Sequence, residues 1–202
     1  MEQYLPFTIH DDLVPLGLQD KLHYTIFSRY ESYHLPLHYR SNITGNKESL
    51  GKSEEQGFGT QIYGVDNSFI ERRVTAHKHS GLLLSPLYSI TEKLNITIWE
   101  ILNARVFMML AKGNKSITTY PHVDLNFPHI VCLYYVNDTD GDTVFYEGDK
   151  EINRVTPKKG RCVIFDGRIY HASSTPTLND RAIINYNFTP MRDNPKLSTQ
   201  HQ

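Results

Sequence analysis

Tyr120-Pro121-His122-Val123-Asp124 opens the stretch that decides the fold, and Arg181-Ala182-Ile183-Ile184-Asn185-Tyr186-Asn187-Phe188 closes it. Between them short apolar runs alternate with turn signals at 137–141, 147–149, 157–160, 166–167 and 176–180. Six β-type runs from residue 117 onward predict an antiparallel sandwich or barrel. In a strand successive side chains point to opposite faces, so His122 and Asp124 share a face and can grip one ion together. His171 lies 47 residues beyond Asp124, and Arg181 follows it by ten.

Two imidazoles and one carboxylate suit a divalent metal of intermediate softness. On one face they leave coordination positions open, the arrangement of the 2-His-1-carboxylate triad of non-haem Fe(II) oxygenases. Arg181 begins an apolar strand-like run, and its forked, permanently charged guanidinium suits the far carboxylate of a dicarboxylic co-substrate. The order His-x-Asp, distant His, then Arg resembles the Fe(II)/2-oxoglutarate-dependent dioxygenases, and the surroundings resemble their prolyl-4-hydroxylase-like branch. The motifs carrying the resemblance are Leu133-Tyr134-Tyr135-Val136-Asn137, Gly141-Asp142-Thr143-Val144-Phe145, Pro157-Lys158-Lys159-Gly160 and Val163-Ile164-Phe165. They fall in family order across the C-terminal half.

The resemblance implies a mainly β fold with flanking helices: a double-stranded β-helix core of the jelly-roll or cupin type, with N-terminal helices packed outside. It implies one oxygenase domain over 1–190, with helical support in 1–100 and the barrel from about 101, before a polar tail at 191–202. His122, Asp124 and His171 would hold Fe(II), with 2-oxoglutarate as co-substrate, O2 as oxidant and ascorbate as a stimulant. Arg181 and Tyr135 would bind 2-oxoglutarate, and Tyr120 is a further candidate on the ligands' strand face. Many members carry Ser two residues after the Arg, where this chain has Ile183. The implied reaction is hydroxylation of an amino-acid or peptidyl C–H, prolyl included, with conversion of 2-oxoglutarate to succinate and CO2. Two other readings use the same ligands: a non-catalytic metal-binding β-barrel, and a zinc hydrolase activating water. Neither needs an Arg ten residues after the last ligand.

A formal charge of -1 over 202 residues gives no global basic field for nucleic acid or an acidic membrane. Lys158, Lys159, Arg161 and Arg168 are the one local cationic group near the motifs. The expected partner is a small-molecule or peptide substrate. Cys132 and Cys162 sit in apolar runs and read as buried thiols. The first residues show neither signal peptide nor membrane span, so a reducing, cytoplasmic setting is expected.

In the N-terminal half, Leu18, Leu22 and Ile26 predict a helix over 15–28, and Leu83, Leu87, Ile90 and Leu94 predict one over 85–95 with Pro86 in its first turn. Residues 35–59 read as an irregular loop suited to a lid, 58–65 as a short strand and 105–110 as a central strand. Gly45 to Lys52-Ser53 has five residues between its glycines where a phosphate-binding loop needs four, so it is set aside. His10-Asp11-Asp12 repeats the His-x-Asp pattern without a surrounding strand and reads as a helix N-cap. His77 and His79 read as solvent-exposed and His129 as structural. The 138–142 segment reads as a hairpin turn, because its Gly is misplaced for a calcium loop.

Overall fold

The computed structural model describes residues 7–28, 35–41, 56–66, 73–113 and 116–191. Its elements are β1 (Phe7–His10), α1 (Leu16–Phe27), β2 (His38–Arg40), β3 (Gly57–Asp66), β4 (Arg73–Ala76), α2 (Ser80–Lys93), β5 (Ile98–Met109), β6 (Ile130–Tyr135), β7 (Thr143–Glu147), β8 (Lys150–Val155), β9 (Cys162–Asp166), β10 (Tyr170–Ser173) and β11 (Arg181–Pro190). The larger sheet runs β1-β9-β6-β11-β5-β3-β2, with β4 also on β3, and the smaller runs β10-β7-β8. Every strand pair is antiparallel.

Why these runs form these strands follows from which faces are covered. β6 and β9 are apolar at nearly every position because they are buried on both faces. Leu133, Tyr135, Val163, Phe165 and Ile183 point toward the small sheet and meet its Phe145 and Val155. The alternate residues Cys132, Tyr134, Ile164, Ile184 and Tyr186 form a second cluster with Leu22 and Ile26 of α1 and Leu83, Leu87 and Ile90 of α2. The two helices therefore back the large sheet, and its opposite face is left for the site. β8, with Lys150, Glu151 and Arg154, is a charged edge that discourages pairing with another chain.

Several elements differ from expectation for identifiable reasons. α2 starts at Ser80, so Pro86 lies inside it. Proline has no N–H for the carbonyl four residues back. Here that carbonyl, of Leu82, accepts the Ser85 hydroxyl at 2.6 Å instead. His79 opens this helix, its N–H donating to His77 Nδ1 at 3.2 Å, so both rings are half-buried rather than exposed. His10 stands in a strand after all, and Asp11 caps no helix, since α1 begins after Pro15 without a side-chain cap. Asp11 instead pairs with Arg161 at 2.7 Å and Lys158 at 3.2 Å.

The 138–142 segment is not a hairpin turn, because β6 and β7 belong to different sheets and the chain crosses between them here. The predicted 35–59 loop is bounded by β2 and the start of β3. Its middle, including the lid reading and the glycine-lysine motif, lies outside the described residues, as do residues 192–202 of the polar tail. No helix among the described residues is long and apolar enough to cross a membrane.

Candidate active site

His122 is not part of a continuous strand. Its segment reaches the small sheet through two isolated bridges, Thr118 to Ser174 and His122 to His171. At the second, His122 N–H donates to His171 C=O at 2.9 Å and His171 N–H returns the bond at 3.0 Å. This reciprocal pair sets the two rings 4.7 Å apart. Asp124 Oδ1 lies 3.7 Å from His122 Nε2 and 3.9 Å from His171 Nε2, and the three ligand atoms all fall within 4.8 Å of one another. Two ligands each about 2.1 Å from one ion are at most about 4.2 Å apart, so a small rotation of one ring closes the set.

The surroundings fit these side chains to a metal. His171 Nδ1 meets the Ile169 carbonyl at 3.1 Å and His122 Nδ1 the Tyr120 carbonyl at 3.3 Å. A carbonyl only accepts, so each Nδ1 carries the proton and each Nε2 keeps its lone pair for an ion. Burial, reinforced by His122, pushes the His171 pKa down to about 4 and keeps the imidazole neutral near pH 7. Burial alone would raise Asp124, but His171, His122 and hydrogen bonds from Asn185 and Asn187 outweigh it and hold the carboxyl below its usual range. Asn185 Nδ2 donates to Asp124 Oδ2 at 2.8 Å, which leaves Oδ1 to face the histidines. Among the described residues this is the one group of three such ligands.

A cavity between the sheets runs from Arg181 past His171 and Asp124 to Arg105. Arg181 is only 2% exposed. Its Nη2 donates to Thr143 Oγ1 at 2.9 Å, its charge lies 5.8 Å from the Tyr135 ring centroid, and its Nε is buried without a partner. Leaving a buried charged donor unmet is expensive, and a carboxylate bound in the cavity would be a candidate partner. The Tyr135 hydroxyl donates to Thr143 Oγ1 at 2.7 Å, which places it behind the guanidinium rather than among the lining residues. Burial pushes this phenol up, against the pull of Arg181, so it stays protonated. Ile183 lines the cavity, whereas Tyr120 is 43% exposed and Thr119 is the lining residue of that segment.

Asn185, Asn187, Thr143 and Arg105 were missed in the sequence. The two asparagines share a strand face with Arg181 by simple alternation, and that was the available signal. His129 is 3% exposed, its Nδ1 meets the Phe127 carbonyl at 2.7 Å, and it is not among the residues that line the cavity. Each member of the cationic group at 158–168 has a carboxylate partner, with one carboxylate shared by two of them. Lys158 and Arg161 pair with Asp11, Lys159 with Asp20 and Arg168 with Asp166.

The fold is that of the 2OG-Fe(II) oxygenases, built on a double-stranded β-helix. A 2OG-Fe(II) oxygenase family oxidoreductase from Burkholderia pseudomallei is similar at a TM-score of 0.65 and 14% identity, over 91% of this chain and 84% of that one. A Pseudomonas putida prolyl-4-hydroxylase is similar at 0.59 and 14%, over 91% and 92%. The epimerase SnoN from nogalamycin biosynthesis, solved in complex with Fe3+, alpha ketoglutarate and nogalamycin RO, is similar at 0.54 and 15%, over 91% and 78%. No family model matches the chain, and no curated protein does.

Proposed function

We propose that this protein is a non-haem Fe(II)- and 2-oxoglutarate-dependent dioxygenase that hydroxylates an amino-acid or peptidyl C–H. The observation carrying the reading is the meeting in one cavity of the His122, Asp124 and His171 cluster with the buried, unpartnered Nε of Arg181. When bound, iron and 2-oxoglutarate supply the oxidation of a substrate C–H by O2, with succinate and CO2 as co-products. The chain's own part is positional. His122 and His171 present their Nε2 atoms, Asp124 a carboxylate held by Asn185, and Arg181 a guanidinium anchored on Thr143. Leu133, Phe107 and Ile183 give the cavity an apolar lining.

Arg181 favours the oxygenase over the zinc hydrolase, which has no need of a buried cation there, and over the non-catalytic barrel, in which it would be merely structural. A peptidyl and prolyl substrate is supported by the resemblance and by the prolyl-4-hydroxylase among the similar structures. An epimerase also shares the fold, so the product decides the outcome class. Hydroxylation adds 16 mass units, whereas epimerisation leaves the mass unchanged. Ascorbate is expected to stimulate turnover by keeping the metal ferrous.

The test is anaerobic visible absorption as Fe(II) and then 2-oxoglutarate are added to metal-free protein. A charge-transfer band is expected only with both, absent in His171→Ala and requiring more 2-oxoglutarate in Arg181→Ala. No band in the wild-type protein, with tight zinc binding in its place, overturns the reading.

A further inference from the structure

The cavity has an arginine at each end. Arg181 opposes Met109 across the β11–β5 ladder, and Asn185, four residues on, opposes Arg105. At about 3.3 Å per residue the two arginines sit roughly 13 Å apart along the strands. The His122, Asp124 and His171 cluster lies between, with Asn185 bonded to Asp124. Their surroundings are opposite in character. Arg181 is sealed in, whereas Arg105 is exposed and lines the outer part of the same cavity.

Arg105 has no ion pair among the described residues, and the acidic group that its charge feels is Asp124. That carboxylate is already engaged by Asn185 and faces both histidines. Enough protein surrounds the Arg105 head group for burial to push its pKa down, and the positive charge of Arg40 adds to the effect. Directly paired residues lie on one face of a sheet. Gln61 pairs with Arg105 and Gly59 with Phe107, while His38 pairs with Gly59 and Arg40 with Gly57. His38, Arg40 and Gln61 are therefore on the cavity face, extending it outward, and all three are exposed. This wall is cationic and polar, and its residues are exposed.

On the oxygenase reading, on which this inference rests, formal charge leaves an excess here. Iron contributes two positive charges, Arg181 and Arg105 one each, Asp124 one negative and 2-oxoglutarate two. One positive charge remains, and of the two guanidiniums Arg105 is the exposed one. A low-dielectric cavity strengthens such an imbalance, and a guanidinium answers it best through paired hydrogen bonds to a carboxylate. We propose that Arg105 is a specificity-determining residue, binding a carboxylate of the primary substrate on the outer side of the metal site. The carboxylate is either that of a free amino acid or an acidic side chain of a peptide.

The test first records the anaerobic Fe(II) and 2-oxoglutarate band, which reports the oxygenase reading by itself. A panel is then titrated: free amino acids beside their α-amides, and Asp- or Glu-containing pentapeptides beside their Asn or Gln counterparts. Binding is read by shifts of that band and by calorimetry. Carboxylate members are expected to bind at least tenfold tighter than their amides in the wild-type protein. That preference is expected to vanish in Arg105→Gln and return in part in Arg105→Lys, with the band and its half-saturating 2-oxoglutarate unchanged. Which half of the panel binds identifies the carboxylate's source. Equal binding of carboxylates and amides, binding by no member, or a rise in half-saturating 2-oxoglutarate in Arg105→Gln overturns the inference. If the band never forms, calorimetry on the same protein still decides it, so the two failures are distinguishable.

Discussion

Gly141 stands where a methyl group would lie 2.8 Å from Arg181 Cδ, 3.0 Å from the Ser174 carbonyl and 3.2 Å from Pro176 Cβ. The carbonyl is backbone and cannot swing aside, so Gly141→Ala must displace the arginine. Overpacking of this kind costs about 1–3 kcal/mol. The expected result is a rise of about tenfold in half-saturating 2-oxoglutarate, equivalent to roughly 1.4 kcal/mol, with iron affinity unchanged. Anaerobic titration beside a urea melt measures both, and a loss of stability with no change in 2-oxoglutarate response defeats the argument. At this scale sequence order carries far for some residues and nowhere for others. Chain order and spacing single out His122, Asp124, His171 and Arg181, and the structure brings all four to one cavity. Thr143, which anchors Arg181, is set by a contact between two sheets, and no local pattern encodes that. Arg105 is hidden by its neighbours, because it interrupts a run otherwise read as apolar core.

The crossover from β6 to β7 shows the same limit at the level of elements. Asp-Thr-Asp-Gly-Asp has the composition of a turn whether or not the flanking strands pair, and only burial of both faces of β6 decides that they do not. Asp140 ties this crossover to the β10–β11 connection. It accepts the Thr177 N–H at 2.9 Å, the Leu178 N–H at 3.1 Å and the Thr177 hydroxyl. Burial tends to raise its pKa, but these bonds outweigh it and hold the carboxyl at about 2 against an ordinary 3.8. A lowered folded value means that the unfolded chain binds the proton more readily. The contribution is thus complete above the ordinary value and drains away as pH falls from there to about 2. Asp140→Ala is expected to cost about 1–3 kcal/mol near pH 7. The gap between the urea midpoints of wild type and variant should narrow steadily between pH 4 and pH 2. A constant gap would show that the carboxylate's charge is not what holds the connection. Other elements escape the sequence for comparable reasons: β1 is four residues long and exists by pairing with β9, and the early start of α2 is masked by a proline that Ser85 makes tolerable.

The described residues form two sheets, the larger backed by two helices, that meet at the candidate site, and groups from both sheets hold its candidate ligands. His171 belongs to β10 of the small sheet, Asp124 is held by Asn185 on β11 of the large one, and His122 bridges to β10. Arg181 and Tyr135 of the large sheet converge on Thr143 of the small sheet. An ion and a dicarboxylate bound here engage groups on either side, so separating the sheets must release both. A ligand that binds only the folded state stabilises it by about 2.7 kcal/mol at a hundred times its dissociation constant. Anaerobic Fe(II) should therefore raise the melting midpoint of the whole protein in one transition, and 2-oxoglutarate should raise it again. On the oxygenase reading His171→Ala should remove both increments, because the co-substrate would bind through the metal. Arg181→Met should weaken the second while sparing the first. A metal increment that survives His171→Ala would place the ion elsewhere. A separate melting transition that alone responds to metal would mean the sheets do not unfold as one unit, and the coupling argued from these shared ligands would fail with it.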